Sequence, residues 1–200
     1  MTNLAVEMPE RIAALERDAR GYPVPYIVLH DKEGRPMFTA NDLRKVEVAY
    51  QNGLCHICGQ ALDPQPWFVG GPGSYWLNGE KAVYFDGPMH QECMHYALKV
   101  CPYLAQISSL SISGAVLNHL REEGAWVRDT TSIPGIPDTF IAVQAYRFKR
   151  VTSGQGTYYY VPKPAKKVEY WRGGELQPRR KAERASKHEA YQLMRKLSSQ

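Results

Sequence analysis

At 200 residues the chain is one domain's worth or one and a half, long enough to bury a core without help from disulfides. With 44% hydrophobic and 22% charged residues, alongside 16 Gly and 14 Pro, the composition excludes a disordered chain and points to a loop-rich globular one. The longest apolar runs, such as Tyr26–Leu29 and Ala82–Phe85, are strand-sized, so no membrane-spanning helix is expected. Residues 1–10 lack the layout of a secretory signal, which makes the cytoplasm the expected compartment.

The first predicted element is a short helix from Pro9, a residue tolerated at a first helical position, to about Arg20, with Ile12 and Leu15 on one face and Gly21 as its stop. Pro25 to His30 reads as a strand, and Asp31 to Gly34 as a turn after which Met37–Thr39 pairs back as a hairpin. Asn41 is the expected N-cap of a helix over 42–51 with Leu43, Val46 and Tyr50 at helical spacing, and Gly53 follows its end. Trp67–Val69 and Ala82–Phe85 read as short strands separated by a Gly-rich stretch, and Pro88 leads into a helix to about Val100 that Pro102 ends. A further helix is predicted over Ser113–Glu123, where Val116, Leu117 and Leu120 form one stripe before Gly124, and 129–137 is turn chemistry. Phe140–Val151, Thr157–Val161 and Lys167–Trp171 then read as three strands of an antiparallel meander. From Pro178 a charged terminal helix follows, with Ala190, Leu193, Met194 and Leu197 as a narrow apolar seam for docking on its own domain or on a partner. The fold class is therefore α+β, organised as 1–105, 106–175 and 176–200.

The sharpest chemical signal is Cys55-His-Ile-Cys58-Gly59, followed by His90-Gln-Glu-Cys93 at a helix start. A C-x2-C turn presents two thiolates from a tight knuckle, and a His and a Cys three apart share a face of a first helical turn. Cys55, Cys58, His90 and Cys93 are thus the expected ligands of one Zn2+, the intervening strands forming the hairpin of a treble-clef finger. Cys101 lies about 12 Å along a helix from Cys93, too far to share its metal, and belongs in the core. His56 and His95 are neighbours that could exchange with a ligand, although His56 is expected to point outward. A disulfide framework is the competing reading, disfavoured in a reducing compartment. Four protein ligands leave no open position for an activated water, so the zinc reads as structural. Two enzyme readings fall short. His90-Gln-Glu92 spells the H-x-E of zinc deaminases, but the C-x2-C lies upstream instead of downstream. A treble-clef nuclease of the His-Asn-His kind needs a general-base His on the hairpin, and no His lies between His56 and His90.

Arg20-Gly-Tyr-Pro-Val-Pro25, the C-x2-C-G knuckle, Phe68-Val-Gly-Gly-Pro72, and His90-x2-Cys93 with Cys101-Pro-Tyr-Leu104 together resemble a family of uncharacterised small proteins of bacteriophages and bacterial genomes. The similarity spans roughly residues 9 to 175 and continues weakly into Phe140–Phe148 and Val168–Gly173. It implies the zinc-binding pairing and a phage or prophage setting, and it supplies no activity. The chain departs from the pattern at Ser74–Pro88, where family members carry a shorter loop with Asn-Arg and paired prolines.

The formal charge of +5 hides an asymmetry: residues 1–100 carry 9 Lys/Arg against 12 Asp/Glu, and residues 101–200 carry 16 against 8. The late half interleaves cations with aromatic rings, the pattern of a surface that pairs phosphates and stacks on unpaired bases. Arg147, Lys149, Arg150, Lys166, Lys167, Arg179 and Arg180 are the expected phosphate contacts, with Tyr159 and Trp171 as stacking rings; the same alternation also suits a half-buried core. The leading expectation is a non-enzymatic, zinc-stabilised, phage-encoded accessory protein that binds nucleic acid or a nucleic-acid-handling complex. The alternative is an antagonist of a host protein that docks through the terminal seam, and the third an atypical nuclease. No small-molecule substrate and no membrane partner is expected.

Overall fold

The structure, a computed structural model, describes residues 6–105, 126–127, 137–153 and 156–198. Its elements in chain order are α1 (Glu10–Ala13), β1 (Val28–His30), β2 (Pro36–Asn41), α2 (Leu43–Gln51), β3 (Trp67–Gly70), α3 (Pro72–Trp76), β4 (Lys81–Tyr84), α4 (Gln91–Val100), α5 (Pro102–Ala105), β5 (Trp126–Val127), β6 (Phe140–Gln144), β7 (Lys149–Ser153), β8 (Gly156–Pro162), β9 (Lys167–Arg172), β10 (Glu175–Leu176) and α6 (Arg179–Ser198). They form three antiparallel sheets, ordered β1-β2-β5, β10-β9-β6-β3 and β4-β8-β7, so the mixed α+β class with a C-terminal helix holds. Among the described residues no helix is long and apolar enough to cross a membrane. The helix predicted over Ser113–Glu123 and all but the last residue of the turn over 129–137 lie outside the described residues.

The four-stranded sheet separates two cores. Along β3, β6 and β9 the side chains alternate: Trp67, Val69, Phe140, Ala142 and Trp171 face α1, α4 and the cysteines, while Phe68, Ile141, Val143 and Tyr170 face Tyr84, Tyr159 and α6. A strand apolar on both faces needs cover on both, and this explains the main departure from the predicted meander. Phe140-Ile-Ala-Val143 is fully buried and sits centrally, paired with β3 on one side and β9 on the other. The predicted strand Phe140–Val151 therefore breaks. Ala145 donates its N–H to the Pro66 carbonyl at 2.9 Å, and the chain crosses over residues 145–148 to the other sheet, where β7 and β8 make the one hairpin of the expected three strands. β8 never pairs with β9. The four-stranded sheet and the sheet β4-β8-β7 both join strands from before residue 105 to strands from after residue 137, so the stretches drawn as 1–105 and 106–175 share their hydrogen-bonding ladders.

Smaller departures have local causes. The N-terminal helix ends after one turn at Ala13, because the backbone of 16–24 folds into a loop that Asp18 holds by accepting from the N–H of Arg20 and of Tyr22. The cap of α2 is Asp42, one residue later than expected, accepting from the Arg44 N–H at 2.9 Å. That helix buries Val46 and Ala49 and leaves Leu43 and Tyr50 exposed. The Gly-rich stretch contains α3, begun by Pro72, and the hairpin β9–β10 turns on Gly173 and Gly174, both in the left-handed region. Helix α6 lies on α3 and β9: Ala182, Ser186 and Ala190 are buried, and the Ser186 hydroxyl accepts from the Trp76 indole N–H at 3.1 Å.

Candidate metal centre

The knuckle is closed at its base by a bridge between Leu54 and Ala61, and the Cys55 N–H donates to the Gln60 carbonyl at 2.8 Å. Its tip needs glycine for two reasons. Gly59 has a φ of +71°, and a Cβ there would stand 2.8 Å from the Tyr26 ring. The second ligand pair arrives on the start of α4. Met89 exchanges both backbone hydrogen bonds with Trp67, and the His56 N–H donates to the Pro88 carbonyl at 3.0 Å. These bonds hold His90, the N-cap of α4, and Cys93, in its first turn, over the knuckle.

The structure brings together all four predicted ligands. Cys55, Cys58, His90 and Cys93 are buried, and their ligand atoms lie within 4.8 Å of one another. His90 Nδ1 stands 3.3 Å from Cys58 Sγ and 3.8 Å from Cys93 Sγ, close to the edges of about 3.4–3.8 Å that tetrahedral bonds of about 2.1 Å to nitrogen and 2.3 Å to sulfur require. The donor set fits a cation on its own chemistry. Hydrogen bonds from Cys58 and Cys93 favour the thiolate of Cys55, and the same contacts push the thiols of Cys58 and Cys93 up. Three thiolates coexist there only with a positive ion among them. The other nitrogen, His90 Nε2, is 2.8 Å from the Ala61 carbonyl; donating its proton there leaves Nδ1 free to ligate. The Arg11 guanidinium stands 2.9 Å from Nε2 and pairs with Glu92 at 2.7 Å, a cation beside a centre whose three thiolates outweigh a divalent ion. Cys101 lies apart from the cluster, half-buried.

The expected hairpin between knuckle and helix is not formed. β3 pairs with β6 and β4 with β8, so the two strands between the ligand pairs belong to different sheets. Short strands with buried faces take whichever edges the rest of the chain supplies, and here later strands outbid the local pairing.

Both extra histidines have other work. His56 turns inward instead of outward and is 2% exposed: it accepts the Gly87 N–H on Nδ1 at 3.2 Å, and its Nε2 lies 3.3 Å from the Tyr159 hydroxyl. Burial lowers its pKa to about 4, so the ring is neutral and Nε2–H donates to Tyr159. Any Cβ at Gly87 would sit 2.1 Å from the His56 ring. Gly87→Ala is accordingly expected to cost about 1–3 kcal/mol, a fall in Tm of roughly 2–12 °C by thermal denaturation. An unchanged Tm would show that this contact relaxes freely. His95 faces the other way and meets Glu169, Nε2 to Oε2 at 2.8 Å. Burial raises the Glu169 pKa, but hydrogen bonds from His95, Lys167 and the Trp171 indole outweigh it and bring the group to about 2. Since the folded value lies below the ordinary one of 4.5, this stabilisation is full above pH 4.5 and is lost as the pH falls through 2. Wild type should melt above Glu169→Gln at pH 6, with the gap closing towards pH 2; a constant gap would contradict the assignment.

The predicted nucleic-acid contacts divide. Arg147, Lys149, Arg179 and Arg180 are exposed. Lys166 is exposed with its ammonium on the Gln65 carboxamide, and Lys167 pairs with Glu169 at 2.7 Å. Three expectations are corrected. Tyr159 is 0% exposed in the core and Trp171 is 4% exposed with its indole N–H on Glu169, so neither ring is open to a base. Arg150 is turned inward, with 13% of its side chain exposed; it pairs with Glu47 at 2.5 Å and lies 4.7 Å over the Tyr50 ring. Alternation along β7, β8 and β9 placed those three side chains on inward faces. In the terminal seam, Ala190 is buried and Leu193 reaches Gly73, whereas Met194 and Leu197 are 43% and 49% exposed. Gly87, Glu169 and Arg11 carried no recognisable motif; only the turn chemistry around Gly87 hinted at a constrained backbone.

Fold and site together define a mixed α+β protein, built on antiparallel sheets, with a buried Cys3His cluster able to hold a metal ion. No family model, curated protein or solved structure matches the chain, so the phage and bacterial setting implied by the motif resemblance gains no support from comparison.

Proposed function

We propose that the protein is a non-enzymatic, zinc-stabilised nucleic-acid-binding protein. The metal is structural: zinc suits a tetrahedral Cys3His set, and four protein ligands close its coordination sphere. The observation that carries nucleic-acid contact is the distribution of unpaired cations. Helix α6 holds seven Lys/Arg against two Glu, a net +5. Glu183 is tied to Lys187, and Glu189 accepts from the Asp138 N–H. Among the described residues Arg147, Lys149, Arg179, Arg180, Lys181 and Arg184 are exposed, and their side chains make no hydrogen bond or ion pair, as suits groups that meet phosphates. The motif resemblance sets this activity in a phage-encoded accessory protein in a host cytoplasm.

The test is a fluorescence-anisotropy titration of the full chain against labelled random single- and double-stranded DNA and RNA at two salt concentrations. The full chain is required, because truncation after residue 145 would strip β8 from β4 and β9 from β6. Binding that weakens steeply with salt is expected; its absence at low salt removes the reading. A second reading, docking on a host protein, rests on Met194 and Leu197, which stand exposed beside Arg195 and Lys196 at the end of α6.

A further inference from the structure

One end of the four-stranded sheet gathers groups that neither the metal centre nor helix α6 uses. There the first residue of β3, the last of β6 and the first of β9 stand in one row, Trp67 beside Gln144 beside Lys167. A cleft of about 400 Å3 opens at this end, lined by Asp63, Pro64, Gln65, Trp67, Gln91 and Gln144. That volume is in the range of small-molecule sites. Three carboxamides converge on it. Gln144 spends its NH2 on the Gln65 carbonyl at 3.4 Å, and Gln65 spends its side-chain oxygen on Lys166. Left over are the Gln144 oxygen, the Gln65 NH2, both ends of Gln91 and a carboxylate of Asp63 that only skirts Arg11 at 3.9 Å. Donors and acceptors thus stand side by side, the pattern that reads the edge of a nucleobase.

The rim supplies what the rest of a nucleotide needs. The Ala145 N–H bonds Pro66 and the Lys166 N–H bonds Gln144, which brings Tyr146, Arg147, Lys166 and Lys167 to this same end. Tyr146 is 64% exposed, the most open of the large apolar side chains among the described residues, and it replaces the buried Tyr159 and Trp171 as a ring on which a base could stack. Lys166 has two ammonium protons beyond the one on Gln65, and Arg147 is unpaired.

We infer that this cleft is a nucleotide site: it takes the base of a nucleoside 5′-monophosphate unit against Gln65, Gln91 and Gln144, with its phosphate on Lys166 and Arg147. The inference rests on the nucleic-acid reading above and sharpens it towards unpaired strands, because a paired base hides the edge that the carboxamides meet.

The experiment titrates full-length protein with the four ribonucleoside 5′-monophosphates, following glutamine side-chain NH2 resonances by NMR. In parallel it measures anisotropy with a labelled 12-mer, as single strand and as duplex, for wild type, Gln91→Leu, Gln91→Glu and Tyr146→Ala. Both positions are exposed, so the variants should keep the wild-type Tm. The expected result is a shift of the Gln91 and Gln144 NH2 signals with nucleotide, and a loss of at least about fivefold in single-strand affinity for Gln91→Leu and for Tyr146→Ala, with duplex affinity unchanged. If wild type binds strands and the variants bind them equally well, the cleft inference is overturned and the basic surface stands. Nucleotide shifts without any strand binding would uphold the cleft for free nucleotides and remove the polymer reading. Absence of both would remove both.

Discussion

Cys93→Ser is expected to leave no cooperatively folded protein, and stripping the metal from wild type with a strong chelator should do the same. Structural zinc sites bind with an apparent free energy of about 10–16 kcal/mol, comparable with the whole stability of a domain at about 5–15 kcal/mol. Here the centre is woven into the larger core: Cys55, Cys58 and Cys93 sit in one apolar cluster with Ile12, Trp67, Met94 and Leu98. Without the ion, three buried thiols face each other under Arg11, and among the described residues the knuckle is left joined to the segment entering α4 by a few hydrogen bonds, among them His56 N–H to Pro88, Gly87 N–H to His56 and His90 to the Ala61 carbonyl. Metal analysis should find about one zinc per chain, and calorimetry of the chelated protein should show no transition. A metal-free protein that melts cooperatively at the wild-type temperature would refute a structural metal.

Arg180→Glu combined with Arg184→Glu is expected to abolish measurable nucleic-acid binding at physiological salt and to lower the salt slope by about 2, near one unit for each phosphate contact removed. The two residues are four apart on α6 and share a face that is exposed, opposite Ala182, Ser186 and Ala190. Both side chains are exposed and make no hydrogen bond or ion pair with the described residues, so thermal stability should be unchanged, which separates lost contacts from lost folding. Reversal in the first turns also places acids near the positive end of the helix, which favours the helix. An affinity and slope equal to wild type would move the phosphate surface away from α6. Survival of single-strand preference in the weakened variant would be consistent with the Gln-lined cleft acting on its own.

The basic half shows how a correct reading of composition can name the wrong residues. Lys/Arg and aromatic residues alternate from 146 to 171, and a period of two says that they face opposite ways without saying which way is in. Tyr159 and Trp171 fell on the inward side because the faces of β8 and β9 that carry them are covered by the two cores, and Arg150, on the edge strand β7, is drawn in by Glu47 of α2. Had those faces lacked cover from the rest of the chain, the same sequence would have offered both rings to solvent. Tyr146, in the crossing between sheets, was free of that constraint.

What the sequence determined alone were the features set by short separations. The ligand spacing C-x2-C and H-x2-C, the glycine at the knuckle tip, the period-two strands and the charged terminal helix all depend on neighbours within a few residues, where backbone geometry leaves few choices. The partners of each strand were decided only in the folded chain. β3 meets β6 and β4 meets β8 across some 70 residues or more, so the hairpin of a treble clef gave way to two sheets. The inward turn of His56 towards Gly87 and Tyr159, the three donors on Glu169 and the cleft between Gln91 and Gln144 arise in the same way. Each joins groups brought together by burial, and burial rewards area removed from water whatever the distance along the chain.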